Sequence, residues 1–173
     1  MADIFRNGAF VDDAWTRLDD DAPVPDEGFV LVPAARWLAE RDILIARNHP
    51  LGIVIGVADR IEDLAADLDR FQVVAIDFPA YTDGRGYSAA RLARDRYGYR
   101  GELRAVGNVL ADQISLMARC GFDTFAVTKP AARQVLEDGG VPDVPVYYQP
   151  APRAEAPVPH NRPWLRRSPP GVA

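Results

Sequence analysis

Four short, largely apolar runs, three of them followed by a segment of helical spacing, constrain most of what this chain can fold into. They are Leu51 to Val57, Val73 to Phe78, Leu103 to Gly107 and Thr124 to Val127. Runs of this length fit buried strands. Between them, apolar residues recur at helical spacing at Ile61, Leu64, Ala65 and Leu68, at Ala89, Leu92 and Ala93, and at Leu110, Ile114 and Met117. Ser88 reads as the N-cap of the second of these helices, and Gly98 and Gly121 as the left-handed residues that close the second and third. Strands that alternate with single helices need right-handed crossovers. The expected fold is therefore α/β, with a mostly parallel sheet of four or five strands, either open or closed into a partial TIM-like barrel. Ala132 to Leu136 adds a last short helix and Val144 to Tyr148 a possible edge strand.

The remainder of the 173 residues reads as less regular. Residues 1–50 form an irregular lead-in: Gly8 to Asp13 suggests a short hairpin, and Pro23, Pro25 and Pro33 interrupt any long element. The core domain is expected over 51–149. Residues 150–173 are rich in proline and poor in core-forming residues, the composition of a disordered tail. Trp164-Leu165 is an unusual apolar pair within it, read either as a partner anchor or as a segment that tucks back on its own domain.

Charge and cysteine content exclude several classes. No apolar run approaches the roughly 20 residues of a membrane-spanning helix, and the N-terminal residues show no secretory pattern, so the expected compartment is the cytoplasm. A net charge of -5 argues against general nucleic-acid binding. Cys120 is the sole cysteine, which rules out an internal disulfide and reads as a small buried hydrophobe. His49 and His160 stand apart, so no metal site is expected.

In parallel sheets ligands collect at the carboxyl ends of the strands, where loops converge. That rule gathers Asp59, Arg60, Asp77, Asn108, Asp112 and Lys129 on one edge. Asp77 and Lys129 are the candidate proton-transfer groups. Between the second strand and its helix lies Asp83-Gly84-Arg85-Gly86-Tyr87-Ser88. Two glycines, a forked cation and a helix start suit a small oxyanion; equally, the glycines could shape a turn and Ser88 cap a helix. Asn108 and Gln113 complete the anion-binding set. Gly84 to Ala89 also fits the loose dinucleotide pattern, but Pro79 to Asp83 separate it from its strand and Asn108 replaces the ribose-binding carboxylate, so flavin or NAD(P) binding is discounted. Arg91, Arg94, Arg96, Arg100 and Arg104 read either as a solvated face with ion pairs or as a docking face for an acidic partner.

The stretch Ile76-Asp77-Phe78-Pro79-Ala80-Tyr81-Thr82-Asp83-Gly84-Arg85-Gly86-Tyr87-Ser88, continued by Gly98 to Gly107, Asp112-Gln113 and Arg119 to Asp123, resembles the bacterial domain of unknown function 934 family. Asn108 departs from the pattern, in which an aspartate is expected. The resemblance implies a setting in assimilatory sulfur metabolism, since such proteins are typically encoded beside the sulfite reductase hemoprotein and are labelled oxidoreductases of sulfite reduction. Three functions follow as expectations. The first is an accessory protein that docks on sulfite reductase or its electron donor through Arg100, Arg104 and Trp164. The second is a small enzyme acting on an oxyanion or phosphorylated metabolite. The third is a flavin- or nicotinamide-dependent oxidoreductase.

Overall fold

The computed structural model describes residues 3–80 and 82–139. Its chain order is β1 (Asp3–Arg6), β2 (Ala9–Asp12), β3 (Trp15–Arg17), β4 (Phe29–Pro33), α1 (Ala34–Ile45), β5 (Leu51–Ile55), β6 (Val73–Phe78), α2 (Arg85–Arg91), β7 (Glu102–Gly107), α3 (Ile114–Cys120), β8 (Thr124–Phe125) and α4 (Pro130–Glu137). The eight strands form one sheet in the order β2-β1-β8-β7-β6-β5-β4-β3. Strands β3 to β8 run parallel, while β1 is antiparallel to both β2 and β8. The sheet curls into a half-barrel.

The α/β class and the mostly parallel sheet agree with the sequence, but eight strands replace the expected four or five. The addition comes from residues 3–45, where an irregular lead-in was expected and four strands and a twelve-residue helix stand instead. A hairpin does form, but over Asp3 to Asp12 and not Gly8 to Asp13: it turns at Asn7-Gly8, both with positive φ, as a type I′ loop requires. Pro33 does not break the structure. It ends β4 and occupies the N-cap position of α1, where a missing N–H costs the helix nothing. Asp12 closes β2 and Trp15 opens β3, so three peptide steps, about 11 Å at full stretch, join the two outermost strands of the sheet.

The two faces differ. Phe5, Val32, Ile53, Ile55, Val74, Ile76, Phe78 and Leu103 point towards the helices and pack with Trp37, Leu44, Ala90, Met117 and Leu136 in the main core. On the opposite face Leu31, Val54, Val73 and Ala75 form a second cluster, flanked by Trp15 and Val106. Side chains on this second face reach across the sheet: Arg17 of β3 meets Asp77 of β6, two strands away from β3's neighbour β4. Such reach identifies it as the concave face. Arg104 lies there too, 1% exposed, donating to both oxygens of Asp13 at 2.9 and 2.8 Å and to Glu102 at 2.8 Å. Thr124 donates to the same Glu102 carboxylate at 2.7 Å. A buried guanidinium is tolerated because its donors meet carboxylates on two sides.

Local readings of the helices held in part. The residues Ile61, Leu64 and Leu68 are buried at the expected spacing, yet the segment forms two 3-10 turns, Ile61–Leu64 and Leu68–Arg70. Helix α2 starts at Arg85 with Gly84 at the N-cap, which places Ser88 inside the helix and corrects its role as a cap. A π turn, Leu92–Arg96, continues α2. Gly98 and Gly121 both have positive φ, as the closing residues of helices should. The Val144 to Tyr148 strand and the tail lie outside the described residues.

Candidate functional site

At the carboxyl end of β6 the chain alternates Val73, Ala75 and Asp77 onto the concave face. The first two are buried in its apolar cluster, and Asp77 emerges at the rim. Arg17 ends β3 two residues beyond Trp15 and sends both Nη atoms to one oxygen, Oδ2 of Asp77, at 3.3 Å each. The Arg17 side chain is 55% exposed and that of Asp77 23%. Asp77 lies over Gly107, whose φ of +87° favours glycine. A Cβ there would come within 2.4 Å of Asp77 Oδ1 and 2.6 Å of the Phe78 carbonyl oxygen. Asn108 follows, its N–H donating to the Phe78 carbonyl at 2.6 Å. The Oδ1 of Asn108 is buried with no hydrogen-bond partner among the described residues.

The loop that the sequence offered to an anion is organised around its own carboxylate. Asp83 accepts from the Arg85 N–H at 3.1 Å and from the Arg85 guanidinium at 2.9 and 2.6 Å. Arg85 holds Asp83 down to a pKa of about 2, chiefly by the side-chain hydrogen bond. Because that pKa lies below the ordinary aspartate value, the contribution of the pair is present above about pH 4. It is lost as the pH falls through about 2. A carboxyl carbon titration followed by NMR is expected to place the Asp83 midpoint near 2 in the native protein and to move it up towards 4 in Arg85→Ala; a native midpoint near 4 would contradict the pairing.

Gly86 is buried, and a Cβ on it would lie 2.5 Å from the Phe78 ring, which also packs edge-on against Tyr87. The missing side chain thus admits Phe78, not a pyrophosphate. Gly84 has open space around it and ordinary backbone angles. These residues do not fit the dinucleotide turn. Ser88 is exposed on α2, and Gln113 is half-buried at the end of the 3-10 turn Ala111–Gln113. Lys129 is exposed at the N-cap of α4, and among the described residues no hydrogen bond or ion pair joins it to Asp77.

The arginine stretch divides in two. Arg94 donates to the carbonyls of Gly121, Tyr99 and Gly101 and to Asp123, so it ties the loop before β7 to the loop between α3 and β8. Arg104 was expected on a docking face, and its burial against Asp13 and Glu102 corrects that assignment. Arg96 and Arg100 are exposed near the amino end of β7, opposite the Asp77 rim. Trp164 lies outside the described residues. Cys120 is buried, and burial pushes its thiol pKa up, consistent with a packing role. Among the described residues no cluster of three or more His, Cys, Asp or Glu is placed to hold a metal, and no helix is long and apolar enough to cross a membrane.

Residues 52–159 match the family described as "Bacterial protein of unknown function (DUF934)". The chain belongs to the DUF934 family. No curated protein matches it. The DUF934 match begins inside β5, so Arg17 and the first four strands precede the matched region although they complete the concave face. Sequence reasoning therefore had no reason to single out Arg17: it sits in a three-residue strand, and its partner is sixty residues away.

Proposed function

We propose that this DUF934 protein is an accessory component of sulfite reduction that docks on the sulfite reductase hemoprotein or its electron donor and holds a small oxyanion at the carboxyl rim of its half-barrel. The observation that carries the proposal is the separation of two cationic surfaces. Arg96 and Arg100 are exposed at the amino end of β7, and Arg17 stands at the opposite rim beside Asp77. Docking through the first leaves the second accessible. The family resemblance supplies the identity of the partner, and exposed arginines suit an acidic protein surface.

The test is capture of the reductase hemoprotein by the immobilised full chain at low ionic strength. Retention is expected at low salt and release as salt is raised, because exposed charges are screened. The double variant Arg96→Glu, Arg100→Glu is expected to weaken capture by about tenfold or more, since it places like charges opposite an acidic surface. No retention by the unaltered chain would overturn the docking reading. A second reading, a small enzyme acting on an oxyanion, draws support from the Asp77 carboxylate beside the Arg17 fork, a base next to an anion holder.

A further inference from the structure

We propose that Arg17, and not Arg85, is the anion-holding residue of the rim, and that a small sulfate-like oxyanion binds by displacing the Asp77 carboxylate from it. This deepens the rim-binding part of the proposed function and rests on it. The argument begins with how each arginine is satisfied. Arg85 meets Asp83 through two oxygens at 2.9 and 2.6 Å, and Arg41 meets Asp67 through two at 2.7 Å each. These are matched forks, the strongest arrangement open to a guanidinium. Arg17 differs: both of its Nη atoms share a single oxygen at 3.3 Å, and its side chain is largely open to solvent. A free oxyanion can offer that fork two oxygens at once.

The surroundings favour an exchange over a simple surface contact. Asp77 Oδ1 lies over Gly107, where a Cβ would come within 2.4 Å of it. On the inner side of the pair the concave face carries the apolar cluster of Leu31, Val54, Val73 and Ala75. An incoming anion therefore meets a cation whose existing partner is poorly aligned. Once displaced, Asp77 stays beside the bound oxyanion, as a neighbouring carboxylate and proton acceptor. The two negative charges oppose each other, so the Asp77 carboxylate lowers the affinity that the Arg17 fork would otherwise give.

The probe is inorganic sulfate, titrated into the full chain and followed by the NMR shifts of the Arg17, Asp77 and Gly107 amides. Shifts in all three are expected on saturation. Arg17→Gln is expected to lower the affinity by about tenfold or more, the worth of a charge-assisted fork. Asp77→Asn removes the competing charge, keeps the shape and is expected to raise the affinity by about twofold to fivefold. Opposite shifts in affinity from two variants exclude simple unfolding as the cause. If Arg85→Ala abolishes binding and Arg17→Gln does not, this assignment is overturned while rim binding stands. If sulfate shifts none of the rim amides of the unaltered chain, the rim-binding reading fails with it.

Discussion

Replacing Arg104 with methionine is expected to destabilise the protein by about 3 to 5 kcal/mol, read as a lowered urea midpoint with an unchanged slope. Arg104 is 1% exposed, and it is the cation between Asp13 and Glu102, whose side chains are 11% and 12% exposed. Methionine fills similar space but leaves two shielded carboxylates facing each other. Arg6 reaches Glu102 at 3.6 Å from a half-exposed position and offsets only part of the loss. A urea midpoint equal to that of the unaltered protein would mean that the buried ion pairs of Arg104 add nothing to stability.

Gly107→Ala is expected to cost about 2 to 4 kcal/mol, combining a strained left-handed alanine with overpacking. The new Cβ meets Asp77 Oδ1 and backbone atoms of Phe78, which cannot rotate away. Thermal unfolding checks the stability. The same variant should also loosen the Arg17–Asp77 pair, because Asp77 is the only movable group among the three contacts. A structure of the variant with Asp77 unmoved would show that the backbone at Gly107 yields instead.

Legibility followed local signal strength. Strands β5 and β6 were readable because each is almost wholly apolar and buried on both sides, and β7 by the shorter run of Leu103, Ala105 and Val106 before Gly107. Phe29-Val30-Leu31-Val32 carried the same signal and was passed over because Pro33 stands at its end. Strands β2 and β3 offered little to read: they are three or four residues long, edge-placed and mostly exposed. The helix start at Arg85 escaped because Asp83 binds the Arg85 N–H from two residues upstream, a pairing that the Ser88 capping pattern obscured. Asp77 was placed on the rim by the strand-end rule alone. Arg17, Gly107 and the buried role of Arg104 depend on contacts between distant strands, and a curled sheet creates those contacts only after it has formed.

The position of β1 also sets an order of events. Strands β3 and β4 can join the growing sheet once β5 exists, but β1 borders β8, whose residues Thr124 and Phe125 are made more than a hundred positions later. The hairpin, made before the other strands of the sheet, therefore waits through their synthesis with one hydrogen-bonding edge unmatched. Only Asp13 and Ala14 separate it from β3, so it is carried along at the border of the forming sheet until the last strand arrives. Of the eight strands of the sheet, the first in chain order is among the last to be enclosed.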